Sequence, residues 1–160
     1  MRSQILSLLQ ENGRLAPAQI AAMIGASADQ VAAEVKAMEE DGIILKYTAV
    51  VDWEKAGQEN VVAMIEVKLT PQRDTGFDKV AERIYRYPEV RSVYLMSGTY
   101  DLSVQVEAPS LKEISRFVAE RLSTIQGVTG TTTHFIMKRY KQDGVIFAKP
   151  EDDNRLAVTP

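Results

Sequence analysis

Residues Ala26–Gly42, ASADQVAAEVKAMEEDG, carry a helix start, a buried stripe and a helix stop within seventeen positions. Ser27, followed three residues on by Gln30, has the pattern of a capping box, in which the hydroxyl and the side-chain amide satisfy the free backbone amides of a first turn. Val31, Val35 and Met38 then recur at intervals of four and three, which is one face of an α-helix. Gly42 supplies a residue that accepts the left-handed conformation with which helices commonly end. The rest of the stretch is acidic, with one Lys36 against Asp29, Glu34, Glu39, Glu40 and Asp41.

Upstream, Ile5, Leu6, Leu8 and Leu9 fall at helical spacing over Arg2–Gln10, and the Asn12-Gly13 pair ends that segment in a turn. A second short helix is predicted within APAQIAAMIG, with Pro17 as its first residue, Ile20, Met23 and Ile24 on one face, and Gly25 as its stop. Downstream, IILKYTAVVDW (Ile43–Trp53) alternates apolar and polar residues about Tyr47-Thr48 and is expected to form a small β-ribbon. Three helices and a ribbon make a winged helix-turn-helix, whose capped second helix suits a DNA major groove. The same trihelical unit also serves as a dimerisation or protein-docking module, and the acidic charge by itself favours that use.

After the polar linker EKAGQEN (54–60) the pattern changes to strands alternating with helices. Strands are expected over Val61–Leu69, Val90–Met96, Leu102–Glu107 and Val128–Arg139, with helices over Thr75–Tyr87 and Ser110–Ile125. The order β-α-β-β-α-β is ferredoxin-like, so the whole chain is of the α+β class. An internal repeat supports the reading: VAERIYRYPEV (Val80–Val90) and VAERLSTIQGV (Val118–Val128) share Val-Ala-Glu-Arg and the final Val, and Ile84 answers to Leu122. Each copy carries a helix end into a strand start, as two β-α-β halves about a pseudo-two-fold axis require. The expected organisation is a helix-turn-helix over 1–53, a linker over 54–60, a ferredoxin-like domain over 61–141 and a C-terminal tail over 142–160.

Composition removes several kinds of chemistry. The 160 residues contain no Cys, and His134 is the single histidine, so disulfides, thiol nucleophiles, Cys-ligated zinc and multi-histidine metal sites are excluded. No carboxylate pair stands in a cleft-like segment and no Gly-rich phosphate loop occurs, so neither an enzyme nor a cofactor is expected. No apolar run approaches the ~20 residues that span a bilayer, and no signal-peptide pattern opens the chain, which points away from the membrane and to the cytoplasm. The net charge of −3 is concentrated in residues 1–53, where four cations meet seven acids. The basic footprint usual in nucleic-acid binders is missing.

Two turns of phrase in the second half carry possible binding chemistry. SGTYD (Ser97–Asp101) joins two strands; Gly98 can take a positive φ and present bare amides, and Asp101 can pair with an ammonium, although an ordinary hairpin turn has the same composition. In TGTTTHF (Thr129–Phe135) alternation places Thr129, Thr131 and Thr133 on one strand face and Gly130, Thr132 and His134 on the other. Hydroxyls on an exposed sheet face suit small-molecule binding, and they suit plain β-propensity equally. His134 reads as a polar sheet or interface residue. Tyr85, Tyr87, Tyr94 and Phe135 lie near Arg83, Arg86 and Arg91, but core and subunit contacts account for them better than a stacking platform for single-stranded nucleic acid.

Residues Ile5–Gly57 resemble the Lrp/AsnC, or feast/famine, family of transcription regulators, through IL..LQENGR, IA..IG.S...V...VK.MEEDGII and Y.A.VD...AG in that order. VRSVYLMSGTYDLSVQV followed by FV...L..IQGVTGTTTHFIMKRYK resembles the same family's ligand-binding domain, so nearly the whole chain is covered. The resemblance implies double-stranded DNA as partner, a homodimer that assembles further, and a free amino acid bound between dimers beside Gly98, Thr99, Tyr100 and Asp101; strand alternation, independently of the resemblance, adds Thr131 and Thr133 as candidates. The sequence departs from the family at Glu34 and Ala37, where Arg is usual, and Gln30 replaces a common Thr. What remains for DNA is Arg14, Lys36 and Lys46, with Ser27, Gln30 and the amides of two helix N-termini. The Gln30 amide can either cap the helix or read an adenine edge. Few cations imply weak binding that depends on avidity. The rival expectation is a sensor of the same fold whose acidic helix docks to protein. The haem-pathway decarboxylases with related folds are disfavoured by the single histidine.

Overall fold

Ile5, Ile20, Ala21, Val31 and Met38 meet in a small closed core in the computed structural model of the chain, which describes residues 1–58, 60–70 and 76–147. They come from α1 (Arg2–Glu11), α2 (Pro17–Ile24) and α3 (Ala28–Glu40), the helices of a first unit, Met1–Val51. Leu6, Leu9, Ile24, Val35 and Ile44 pack around that core. Burial of a large aliphatic side chain is worth about 1.5–3 kcal/mol, so these few residues supply most of what holds three short helices together. Pro17 stands in the first turn of α2 and Gly25 ends it at φ 73°.

The β-ribbon expected over Ile43–Trp53 is not formed. Ile43 N and Ile44 N donate back to Met38 O at 2.8 and 3.0 Å, which folds the chain over the end of α3. No residue from Leu45 to Trp53 belongs to a strand, and Leu45 is 87% exposed. Alternation alone does not make a strand; a partner edge must accept its backbone groups, and within this unit none does.

The second unit begins at Asp52. Its strands are β1 (Val61–Leu69), β2 (Val90–Leu95), β3 (Leu102–Ala108) and β4 (Val128–Phe135), in the order β2-β3-β1-β4 with every pair antiparallel. With α4 (Asp78–Tyr85) and α5 (Leu111–Phe117) between them, the expected ferredoxin-like order is present. The start proposed for α4 at Thr75 lies outside the described residues. Ala63, Ile65 and Val67 of β1 and Leu102, Val104 and Val106 of β3 are buried beneath Val80 and Ile84 of α4 and Ile114 and Phe117 of α5. Period-two alternation on the strands and helical spacing above them therefore meet on one face of the sheet.

Three expectations need correction. The helix expected over Ser110–Ile125 is not a single α-helix: Val118–Leu122 is π-helical, with Ser123 N donating to Val118 O at 2.9 Å. The buried residues Ile114, Phe117, Leu122 and Ile125 are spaced three, five and three, and the extra residue of the π turn is what keeps Leu122 facing the core. The last strand ends at Phe135, not Arg139. Lys141–Gln142 and Val145–Ile146 form a two-stranded hairpin, β5 and β6, across the boundary expected at 141/142; residues 148–160 of the expected tail lie outside the described residues.

The repeat has a geometric counterpart. Tyr87 N donates to Ile84 O and Val90 N to Tyr87 O, and 38 residues later Ile125 N donates to Leu122 O and Val128 N to Ile125 O. The two helix-to-strand joints are thus built on the same hydrogen bonds, and Ile84 and Leu122 are both fully buried.

Candidate nucleic-acid and effector sites

α3 turns Asp29, Ala32, Ala33, Lys36 and Glu40 to solvent, opposite its buried Val31 and Met38. It is preceded by the α2–α3 turn, where Gly25 N and Ala26 N both donate to Ala21 O, at 2.9 and 3.1 Å. The capping box is present: Ser27 Oγ accepts from Gln30 N and Gln30 Oε1 accepts from Ser27 N, each at 3.2 Å. Of the two uses open to the Gln30 amide, the structure shows the cap. Lys36 Nζ is 3.8 Å from Glu40, but both side chains are about two-thirds exposed or more, and water screens such a pair. Arg14 and Lys46 are exposed on the same unit.

The acids of α3 are not equivalent. Glu34 is half-buried and its Oε2 accepts from Arg2 Nε of α1 at 2.6 Å, while Arg2 Nη1 stands 3.7 Å from Asp41 Oδ2. The hydrogen bond to Glu34, reinforced by its charge, makes the guanidinium hold its proton more firmly than usual. Glu39 accepts from the Tyr47 hydroxyl at 2.9 Å. Four of the five acids in the opening stretch therefore have a partner within the unit, Glu34 and Glu39 through hydrogen bonds and Glu40 and Asp41 through longer, exposed ion pairs that water screens. No sequence signal marked the Arg2–Glu34 contact, because 32 residues separate the two.

The Ser97–Asp101 turn closes β2 onto β3. Met96 N donates to Asp101 O at 2.8 Å, Asp101 N donates to Val67 O at 3.0 Å, and Asp101 Oδ2 accepts from Leu69 N at 2.7 Å. The β1–β4 register shifts between Lys68 and Leu69, and the Asp101 carboxylate takes the Leu69 amide at that irregularity. Asp101 thus fastens the turn to the central strand, a role its position in the sequence did not reveal. Gly98 does not use the freedom expected of it: its φ lies outside the left-handed region, and a Cβ there would meet nothing within 4 Å. Ser97, Gly98 and Thr99 are exposed, and Tyr100 is half-buried.

Thr131 pairs with Val67 and Thr133 with Ile65, so both point to the helix-covered face and not to an exposed one as expected. They are half-buried because β4 is an edge strand. Thr131 Oγ1 lies 3.5 Å from Ser123 Oγ, and Thr129 Oγ1 donates to Lys68 O at 3.2 Å. Through Val67 and Leu69 the structure brings Asp101 and Thr131 to one end of the sheet; Thr133 sits two residues further in. Thr132 and His134 occupy the other face, where His134 Nε2 is 3.2 Å from Glu66 Oε1.

Two concavities lie at the opposite end of β3. One of about 500 Å³ is bordered by Trp53, Asn60, Glu107, Arg139 and Phe147. The other, of about 410 Å³, is bordered by Glu89, Glu113, Arg116 and Arg121, and its Glu89 Oε2 and Glu113 Oε2 are buried without a hydrogen-bond partner. Among the described residues no group of three His, Asp or Glu could hold a metal, and no helix is long and apolar enough to cross a membrane.

Comparison with known proteins agrees with both units. Residues 62–146 match the model of the Lrp/AsnC ligand-binding domain, and residues 2–44 match that of a winged helix-turn-helix DNA-binding domain. The chain is 49% identical over 159 residues to the HTH-type transcriptional regulator YugG of Bacillus subtilis, covering 99% of this chain and 96% of that protein. It is 30% identical to the HTH-type transcriptional regulator FL11 of Pyrococcus furiosus, covering 87% and 89%. Among solved structures it is similar to the transcriptional regulator NMB0573 of Neisseria meningitidis in complex with L-Met, with a TM-score of 0.72, 27% identity, and 88% and 90% of the two chains covered. The capped helix-turn-helix, the ferredoxin-like domain that follows it in the chain and these matches over nearly the full length place the chain in the Lrp/AsnC family of transcriptional regulators.

Proposed function

We propose that the protein acts in the cytoplasm as a homodimer that assembles further, binds double-stranded DNA through Ser27–Met38, and responds to a free amino acid held between dimers. Arg14, Lys36 and Lys46 would meet phosphate, and Ser27 and Gln30 would hold the N-terminus of α3 at the groove. The observation that carries the DNA reading is the capped α3, with exposed Ala32, Ala33 and Lys36 on its free side and Glu34 turned to Arg2. Small side chains on that side let the helix approach base edges closely, and alanine methyls suit the thymine methyl.

For the effector we assign Gly98, Thr99, Tyr100 and Asp101, with Thr131 and Thr133 behind them. The turn is exposed, whereas small-ligand sites bury most of the ligand. A second dimer laid over the turn would supply the missing wall. Ligand binding there would alter how dimers are arranged, and with it which half-sites the α3 helices reach together. The L-Met complex of the Neisseria relative supports an amino acid as the class of effector.

The net charge of −3 over residues 1–53 supports a second reading, in which the acidic helix docks to protein. Fluorescence anisotropy with a fragment of the gene's own promoter, at low and high salt, separates the two. Affinity that falls steeply with salt is expected; no binding at low salt would leave the docking reading in place. A thermal-shift screen of free amino acids tests the effector.

A further inference from the structure

We infer that Arg2 is a positioning residue of the DNA-reading surface: it cancels the charge of Glu34 and fixes that side chain against α1, so that an acidic α3 can approach phosphate. The inference rests on the DNA-binding reading above and accounts for one of the acids that oppose it, since Asp29 and Glu40 stay exposed on the same helix. Glu34 lies in the N-terminal half of α3, one residue from exposed Ala33 and two from Lys36. An uncompensated carboxylate there would repel the backbone that Lys36 attracts. Arg2 Nε donates to Glu34 Oε2 at 2.6 Å, a short hydrogen bond between opposite charges, and the same guanidinium lies 3.7 Å from Asp41. Lys36 is drawn instead toward Glu40, on its solvent side, and Glu39 is held by Tyr47. The cation cancelling Glu34 is thus supplied from another helix.

The test is a promoter-fragment titration of the full chain, the single variant Arg2→Ala and the double variant Arg2→Ala/Glu34→Gln, each over a range of salt. At about 7 Å in water one uncovered charge changes a phosphate contact by roughly threefold, so a dimer presenting two helices should lose about tenfold in affinity in R2A. The double variant restores the neutral pair without the guanidinium, and its affinity and salt slope should return to those of the parent. Parent-like binding by R2A overturns the inference while leaving the DNA reading intact. A double variant that stays weak, with a slope lower by about 0.9 for each Arg2 lost, shows instead that Arg2 itself meets phosphate, and overturns it also. Failure of the parent to bind at low salt overturns both readings together. Thermal unfolding of all three proteins separates a loss of fold, which would lower R2A and the double variant alike, from a loss of charge balance.

Discussion

Asp101 has two roles that one pair of substitutions can pull apart. Its Oδ2 accepts from the Leu69 amide at 2.7 Å, and the same carboxylate is the proposed partner of an effector ammonium. Asp101→Ala removes the acceptor and leaves a partly buried N–H without one, which costs about 1–3 kcal/mol. For a unit of about 100 residues each kcal/mol lowers the melting temperature by roughly 4–8 °C, so a fall of at least several degrees is expected in the absence of ligand. Asp101→Asn retains a side-chain oxygen at the same reach and exchanges a charged for a neutral hydrogen bond, so the loss should be smaller, about 1 kcal/mol or less. The ligand response should behave differently, because the amide carries no charge. A ligand at 100 times its dissociation constant stabilises the parent by about 2.7 kcal/mol, and a tenfold weaker ligand at the same concentration by about 1.4 kcal/mol. The assay is thermal shift in the presence of whichever amino acid stabilises the parent. Asp101→Asn that keeps the full ligand-induced shift refutes the ammonium contact; Asp101→Ala that melts with the parent refutes the role at Leu69.

Gly98→Ala should fold as well as the parent or gain about 0.4–1 kcal/mol, because its φ is open to any residue and a Cβ there meets nothing, and urea denaturation checks this. If the effector approaches that turn, the same variant should lose part of its ligand-induced thermal shift. Ser27→Ala should cost about 1 kcal/mol in the same urea assay through loss of the α3 cap, with Gln30→Ala removing the reciprocal bond to Ser27 N. Tyr47 should titrate above the usual phenol value of 10.0, because partial burial and then the bond to Glu39 favour the neutral form. The stability it contributes is present below that value and is lost as pH rises through its own higher pKa; a late step in an ultraviolet titration that disappears in Tyr47→Phe is the expected sign.

Local signals were legible wherever a short stretch contains both partners of an interaction. The Ser27–Gln30 box, the Gly25 and Gly42 stops and the alternation of β1 all draw on residues within a turn or two of each other. The 38-residue repeat was readable for a related reason, since both copies build the same helix-to-strand joint with the same backbone hydrogen bonds, each ending on a Val. The π turn escaped because Val118–Leu122 has ordinary helical composition, and only its packing against the sheet requires the extra residue. The ribbon expected over Ile43–Trp53 does not form, because alternation records which side chains are apolar and says nothing of whether a strand edge is there to pair with.

Fold class, the capped helix-turn-helix and the family thus follow from the order of residues, since periodicity, caps and motif spacing are properties of neighbours along the chain. The state of the charges does not. Arg2 reaches Glu34 across 32 positions, Asp101 reaches Leu69 across 32, and Thr131 and Thr133 take their face from the strand they pair with. Those contacts depend on which elements pack together, and Coulomb forces and hydrogen bonds act over a few ångströms of space whatever the distance in sequence. The acidity of ASADQVAAEVKAMEEDG is therefore a fact of composition, whereas the partial neutralisation of its helix is a fact of tertiary structure.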